Sequence, residues 1–215
     1  MKQIRFCAHV AALTFVSLVL LGLSGCGSLS PLPTDTFYRL KITPPEPKGS
    51  SETYWTEGFV RVAKFRGSGV HRERAIAYSE PNQVVVKQHR YHLWIDSPEH
   101  MLQKALVVYL RTANVAPLIS SSDFGNDGLE IHVQIRQMDQ VVTKNGADIV
   151  VALAFELVQR KGRKTLLLAK EYRESRSVSR DELSAVAMAM AEAIGVIFER
   201  FVAEVSALDL AAPFQ

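Results

Sequence analysis

Cysteine is almost absent from this chain. Only Cys7 and Cys26 occur among the 215 residues, and residues 27–215 contain none. A domain built from those residues has no disulfide bonds and must be held together by its hydrophobic core alone.

A charge imbalance of either sign is also missing. The 25 basic and 22 acidic side chains leave a formal charge of +3. Proteins that bind nucleic acid usually carry a strongly basic domain, so nucleic acid is not expected as a partner. The sequence contains no glycine motif of the kind that cradles phosphate, and no repeat at solenoid periods.

Long hydrophobic runs are limited to one stretch near the N-terminus. Residues 10–23 carry no charge, follow a short basic start with Lys2 and Arg5, and lead to small residues just before Cys26. This arrangement is typical of a secretory signal peptide. The alternative is an uncleaved anchor, but the run is shorter than the roughly 20 apolar residues of a membrane span.

The segment Leu23-Ser24-Gly25-Cys26 resembles the lipobox of bacterial lipoproteins, L-[AS]-[GA]-C, at every position. The resemblance implies that diacylglycerol alkylates the thiol of Cys26, that cleavage follows between Gly25 and Cys26, and that the new amino group is acylated. A thiolate is the side-chain nucleophile suited to such alkylation. In lipoproteins of enteric bacteria, aspartate after the cysteine tends to retain the protein in the inner membrane, so the resemblance, with Gly27 at this position, implies the outer membrane as the destination.

Three regions follow from this interpretation. Residues 1–25 are the signal peptide, residues 26–35 are the lipidated cysteine and a flexible tether, and residues 36–210 form one domain. The small, proline-containing tether could extend roughly 30 Å. Removing residues 1–25 leaves a mature chain with a charge near +1.

Alternating apolar and polar residues predict the strands. The predicted strands are 36–42, 58–65, a hairpin of 74–79 and 83–88, and a meander of 129–136, 148–159 and 165–175. In the strand 129–136, Leu129 and Ile131 are expected to face the core, whereas Glu130 and His132 are expected to face solvent.

Two helices are predicted from capping residues and apolar spacing. Ser97 can cap a helix that has Pro98 at its first position and ends near Asn114. Ser179 and Glu182 match a capping box for a second helix that ends near Leu208. Its apolar stripe is expected to cover the sheet, the alternative being an oligomer contact. The expected fold class is therefore α+β, with a mostly antiparallel sheet covered by two amphipathic helices in a single domain.

Side chains that could support catalysis are dispersed. His89 and His92 would point to opposite faces of a strand, which is poor geometry for one metal ion. The segment Gly67-Ser68-Gly69 lacks the outer glycines of a nucleophile elbow and is interpreted as a loop. We therefore predict no catalytic residue, no metal and no cofactor other than the covalent lipid on Cys26, and Trp94 is expected in the core.

Beyond the lipobox, the chain resembles the ABC-type transport auxiliary lipoproteins, the family of the paraquat-inducible lipoprotein PqiC. The sequence segments that carry the resemblance are, in order, Phe37-Tyr38-Arg39-Leu40, Val60-Arg61-Val62, Arg74-Ala75-Ile76-Ala77-Tyr78, Gln83-Val84-Val85-Val86, Tyr91, Trp94 and the leucine-rich helix that begins with Pro98.

The resemblance implies a non-enzymatic periplasmic lipoprotein on the outer membrane. Such proteins accompany an ABC permease and an MCE-domain protein that carry lipid between the two membranes, and they can form homo-oligomeric rings. Two alternatives remain open from the residues alone. One is an outer-membrane assembly or pilot lipoprotein with a secretin or barrel client, and the other is a periplasmic hydrolase with a dispersed site.

Overall fold

The structure is a computed structural model. It describes residues 32–47, 54–82, 84–123, 125, 127–144, 146–178, 182–208 and 210. The chain divides into two compact units, residues 1–34 and 35–215. Every helix and strand named below belongs to the second unit. The predicted signal peptide, Cys26 and most of the tether lie outside the described residues.

The second unit contains eight described strands and two described α-helices. In chain order they are β1 (Thr36–Tyr38), β2 (Phe59–Val62), a 3-10 turn (Gly69–Arg72), β3 (Ala75–Ser79), β4 (Val86–Trp94), α1 (Pro98–Thr112), β5 (Leu118–Ser120), β6 (Gly128–Thr143), β7 (Gly146–Lys161), β8 (Arg163–Val178) and α2 (Leu183–Ser206).

One mixed sheet holds all eight strands. The strands β6, β7 and β8 form an antiparallel meander of 16-residue strands, so the predicted meander is confirmed and each of its strands is longer than predicted. The other edge of β6 is shared, because its first half pairs with β2 and its second half with β3, both in parallel. β5 lies outside β2, and β4 followed by β1 lies outside β3.

The strands β2 and β3 are two segments of chain that follow the same edge of β6. After β2 the backbone remains bonded to β6, with Ala63 N donating to Ile131 O and Arg66 N donating to Val133 O, both at 2.9 Å. The chain then leaves the sheet for the 3-10 turn and returns as β3. The predicted hairpin of β3 and β4 is confirmed as an antiparallel pair.

The core lies between one face of the sheet and the two helices. Alternate residues of β6 and β7 are buried there, including Ile131, Ile135, Leu153 and Phe155, as the period of two requires. Trp94 is 2% exposed, which confirms its predicted place in the core. The predicted fold class, a mostly antiparallel sheet with two amphipathic helices, is confirmed.

The two helices begin differently. In α1 the Ser97 side chain accepts a hydrogen bond from His100 N, as predicted. In α2 Glu182 is itself the residue before the helix and makes no side-chain cap. A capping box would need Glu182 inside the first turn, so that prediction is wrong for Glu182, and Ser179 lies outside the described residues.

Candidate functional site

The predicted tether joins the domain at β1, whose direction therefore matters. Thr36, the first residue of β1, lies ten residues after Cys26 and pairs with His92 of the parallel strand β4. β4 begins at Val86, next to the turn that connects it to β3. Because β1 and β4 are parallel, the N-terminal end of β1 faces the end of the sheet that carries this turn.

That end of the sheet displays three consecutive exposed valines. The exposed fractions are 99% for Val84, 56% for Val85 and 40% for Val86. All three lie within the predicted strand 83–88, but β4 starts only at Val86, so Val84 and Val85 lie in the turn. We refer to Val84–Val86 as the valine tip.

A group of aromatic and imidazole side chains holds β1 to the sheet. The Tyr38 hydroxyl lies 2.9 Å from His92 Nδ1, and the rings of His92 and His89 are 5.9 Å apart. His89 Nε2 lies 3.1 Å from Gln140 Oε1, and its ring packs 4.6 Å from that of Tyr78. These contacts connect β1, β4, β3 and β6.

The prediction that His89 and His92 point to opposite faces is wrong. Ala75 pairs with Leu93 whereas Ala77 pairs with Gln88, so β4 carries extra residues between these two pairs. Such an irregularity breaks the alternation of side chains and brings both histidines together. Nevertheless, no group of three or more His, Cys, Asp or Glu side chains that could hold a metal ion occurs in the described part of the chain.

The environment of His89 changes its acidity. Burial lowers the pKa of the His89 imidazole, the hydrogen bond with Gln140 opposes this effect, and the neighbouring His92 lowers the pKa further. His89 is therefore held preferentially in its neutral form, which suits a packing and hydrogen-bonding role next to β1.

A second polar group surrounds the buried carboxylate of Asp139, which is 3% exposed. Oδ2 accepts hydrogen bonds from Ser79 Oγ at 3.2 Å and Gln137 Nε2 at 3.3 Å, and Oδ1 lies 3.7 Å from His71 Nε2. A nucleophilic triad places the histidine between serine and carboxylate. Here the carboxylate stands in the middle, so within this group Ser79 contacts the carboxylate and not the imidazole that would activate it in a triad.

Glu130 forms a third polar group near the opposite end of the sheet. Arg61 Nη1 donates to Glu130 Oε1 at 2.5 Å, and Arg160 Nη1 lies 3.1 Å from Asp123 and 3.9 Å from Glu130. Glu130 was predicted to face solvent but is only 3% exposed, because two arginines and the loop carrying Asp123 cover it. The cluster joins β2, β6 and β7 to that loop.

The remaining candidates from the sequence take structural positions. Gly67 and Ser68 lie in the loop that leads into the 3-10 turn, which begins at Gly69, and Gly67 N donates to Glu99 Oε1 of α1 at 2.8 Å. Two open grooves, of about 690 and 430 Å³, lie where residues 39–46 cross the helices. Among the described residues, no helix combines the length and apolar character required to cross a membrane.

Similarity to solved structures concerns the fold. A Xanthomonas campestris protein assigned to the DUF330 family has a TM-score of 0.66 and 15% identity, over 80% of this chain and 95% of that chain. An uncharacterized protein has a TM-score of 0.64 and 13% identity, over 80% of this chain and 99% of that chain. The domain therefore shares a two-layer α+β fold with these proteins. A comparison with curated proteins found no match.

The family follows from the sequence match. The model for the ABC-type transport auxiliary lipoprotein component matches residues 38–201, which is most of the chain. This protein belongs to the family of ABC-type transport auxiliary lipoprotein components, as its resemblance predicted.

Proposed function

We propose that this protein is an outer-membrane-anchored periplasmic lipoprotein and a non-catalytic accessory component of an ABC/MCE-type system for lipid transport between membranes. The observation that carries the proposal is the family match over residues 38–201, preceded by a lipobox ending at Cys26. Its partners are an MCE-domain protein, the membrane that holds its lipid and, in a homo-oligomeric ring, further copies of itself.

The connection between anchor and domain supports a tethering role. Thr36, the start of β1, lies ten residues after Cys26. A chain of that length reaches at most about 33–36 Å, so the domain stays near the membrane surface. β1 has only three residues, and the contact of Tyr38 with His92 adds a side-chain attachment to the sheet.

A non-catalytic role is supported by the family description and by the polar groups themselves. The Asp139 group lacks the order of a nucleophilic triad, and the Glu130 group neutralises two carboxylates with two arginines. Charge-balanced clusters of this kind fix neighbouring strands and loops in place. An accessory protein that positions a partner needs such rigidity more than it needs a reactive side chain.

The test is to cross-link cells that express the protein with a C-terminal affinity tag, purify it, and identify its partners by mass spectrometry. Recovery of an MCE-domain protein among the strongest partners is the expected result. Its reproducible absence, together with recovery of a secretin or barrel protein, would contradict the MCE partner and favour an assembly or pilot lipoprotein with the same membrane anchor. Membrane fractionation of the same cells tests the outer-membrane assignment separately.

A further inference from the structure

We propose that the valine tip, Val84–Val86, is a second membrane contact that enters the headgroup region of the bilayer to which Cys26 is attached. The inference rests on the lipid anchor of the proposed function. The anchor alone would leave the orientation of the domain relative to the membrane undefined, whereas a second contact fixes which end of the sheet faces the lipid.

The exposure of the tip is the first observation. Val84 is 99% exposed and Val85 is 56% exposed, next to each other at the end of a hairpin. Moving apolar side chains that are fully hydrated in the isolated domain out of water lowers the free energy of the system. Single exposed apolar residues are common, but adjacent ones at a protruding turn favour a contact surface.

The side chains beside the tip suit a lipid headgroup. Lys87 Nζ lies 3.4 Å from the Glu80 carboxylate, so this acidic group is paired with a cation and does not present an isolated negative charge to an anionic surface. Lys87 also lies 6.0 Å from the Tyr78 ring centroid. Long basic side chains and tyrosine are the residues that tolerate the boundary between water and lipid.

The length and direction of the tether provide the decisive argument. Thr36 pairs with His92, six residues along β4 from Val86, which corresponds to about 20 Å at the rise of a strand. The ten residues from Cys26 to Thr36 can reach at most about 33–36 Å. The N-terminal end of β1 faces the end of the sheet that carries the tip, and the maximum reach of the tether exceeds this distance of about 20 Å, so one membrane can hold Cys26 and contact the valine tip together.

A protein partner fits this feature less well. A stable protein interface buries about 800 Å² on each side. Three valine side chains, two in the turn and one at the start of β4, provide much less, whereas insertion into a fluid headgroup layer has no such size requirement. We therefore commit to the bilayer as the occupant, and a second copy or another protein becomes an outcome of the test.

The test uses the mature, lipidated protein with a single reactive thiol. In the mature protein of the proposed function Cys7 is removed with the signal peptide and Cys26 carries lipid, so Val85→Cys supplies the only free thiol for a polarity-sensitive fluorophore. Leu166→Cys is the matched control. Leu166 has the same exposed fraction of 56%, but it pairs with Val158 at the opposite end of the sheet. Both labelled proteins are reconstituted into phosphatidylethanolamine and phosphatidylglycerol vesicles, with and without lipids carrying a shallow nitroxide quencher.

We expect the label at position 85 to emit at shorter wavelength on vesicles and to be quenched at least twofold by the nitroxide lipids, with little change at position 166. Flotation of the unlabelled protein with the same vesicles is recorded in parallel. A protein that floats but shows no quenching at position 85 overturns the valine-tip contact and leaves the anchor intact. A blue shift without lipid quenching places the tip in a protein contact and also overturns it. A protein that does not float overturns both the anchor and the tip.

Discussion

At the scale of single residues, the buried charge of Glu130 is expected to have a large effect on stability. Its carboxylate faces Arg61 and Arg160, whose side chains are 27% and 18% exposed. Removing one member of a buried ion pair leaves the partner charge uncompensated. Glu130→Gln should therefore lower the free energy of unfolding by about 3 kcal/mol, as measured by urea denaturation.

The matched control for this substitution is Glu171→Gln. Glu171 is 46% exposed and its oxygen lies 4.0 Å from Arg136 on the surface. Exposed pairs contribute between 0 and about 1 kcal/mol, so this variant should differ little from the wild type. If the two substitutions lowered the free energy of unfolding equally, the result would contradict the assignment of Glu130 to a buried ion-pair cluster.

The pH dependence of His89 is a second prediction at this scale. Burial holds the pKa of folded His89 below 6.5, so below that pH the unfolded chain binds more protons than the folded one. The stabilising contribution of neutral His89 is complete above pH 6.5 and is lost as the pH falls through the folded pKa. An NMR titration of the His89 ring should give a midpoint below 6.5.

The variant His92→Gln checks the cause. Removing the neighbouring imidazole takes away one influence that lowers the pKa of His89. The His89 midpoint should then rise, while burial keeps it below the value in the unfolded chain. A midpoint at or above 6.5 in the wild-type protein would show that the imidazole is not buried against Gln140 and Tyr78 as the structure has it.

At the scale of elements, α2 depends on its buried stripe. Phe201 is fully buried and stacks on Phe155 of β7 at a centroid distance of 4.4 Å, with Trp55 at its edge. Phe201→Ala should destabilise the domain by about 3–5 kcal/mol, because it removes buried apolar surface and leaves a cavity. Urea denaturation followed by circular dichroism provides the measurement.

Met188 of the same helix is the control for this prediction. It is 62% exposed, so Met188→Ala should change the free energy of unfolding by no more than about 0.5 kcal/mol. The predicted stripe along α2 is confirmed as the surface that covers the sheet. A loss at Met188 as large as that at Phe201 would indicate that the outer face of α2 is also buried, as in an oligomer.

At the scale of the whole molecule, the proposed function depends on one thiol. Cys26→Ala removes the atom that would carry diacylglycerol, so the precursor should keep residues 1–25 and fail to reach the outer-membrane fraction. The domain should remain folded, since its core is built from residues 36–206. Intact mass and membrane fractionation measure these outcomes, and loss of complementation is expected with them.

Cys7→Ala is the corresponding control, because Cys7 lies in the predicted signal peptide and is removed with it. This variant should be processed and sorted like the wild type. A Cys26→Ala protein that is still found in the outer membrane and complements fully would contradict the proposal that a lipid on Cys26 tethers the domain.

The sequence by itself determined the order of the strands and helices, apart from the short unpredicted strand β5, and most of their faces. The alternation of Leu129, Ile131, Val133 and Ile135 is a local property of a strand, and the Ser97-Pro98 start of α1 is a local property of a helix terminus. Both follow from residues a few positions apart, and both are confirmed. Short sequence segments in the expected order also predicted the family, and the match over residues 38–201 confirms it.

Only the tertiary structure decided what depends on distant residues. The joint pairing of β2 and β3 with β6, the extra residues in β4 that bring His89 to His92, and the burial of Glu130 under two arginines all involve contacts between separate segments. Strand order, register and bulges cannot be predicted from a local hydrophobic pattern. The alternation along a strand shows which face each residue occupies, but it does not show which segment pairs with the strand or covers that face. For the same reason, the local pattern predicts a strand over 83–88, and only the tertiary structure places Val84 and Val85 in an exposed turn before β4.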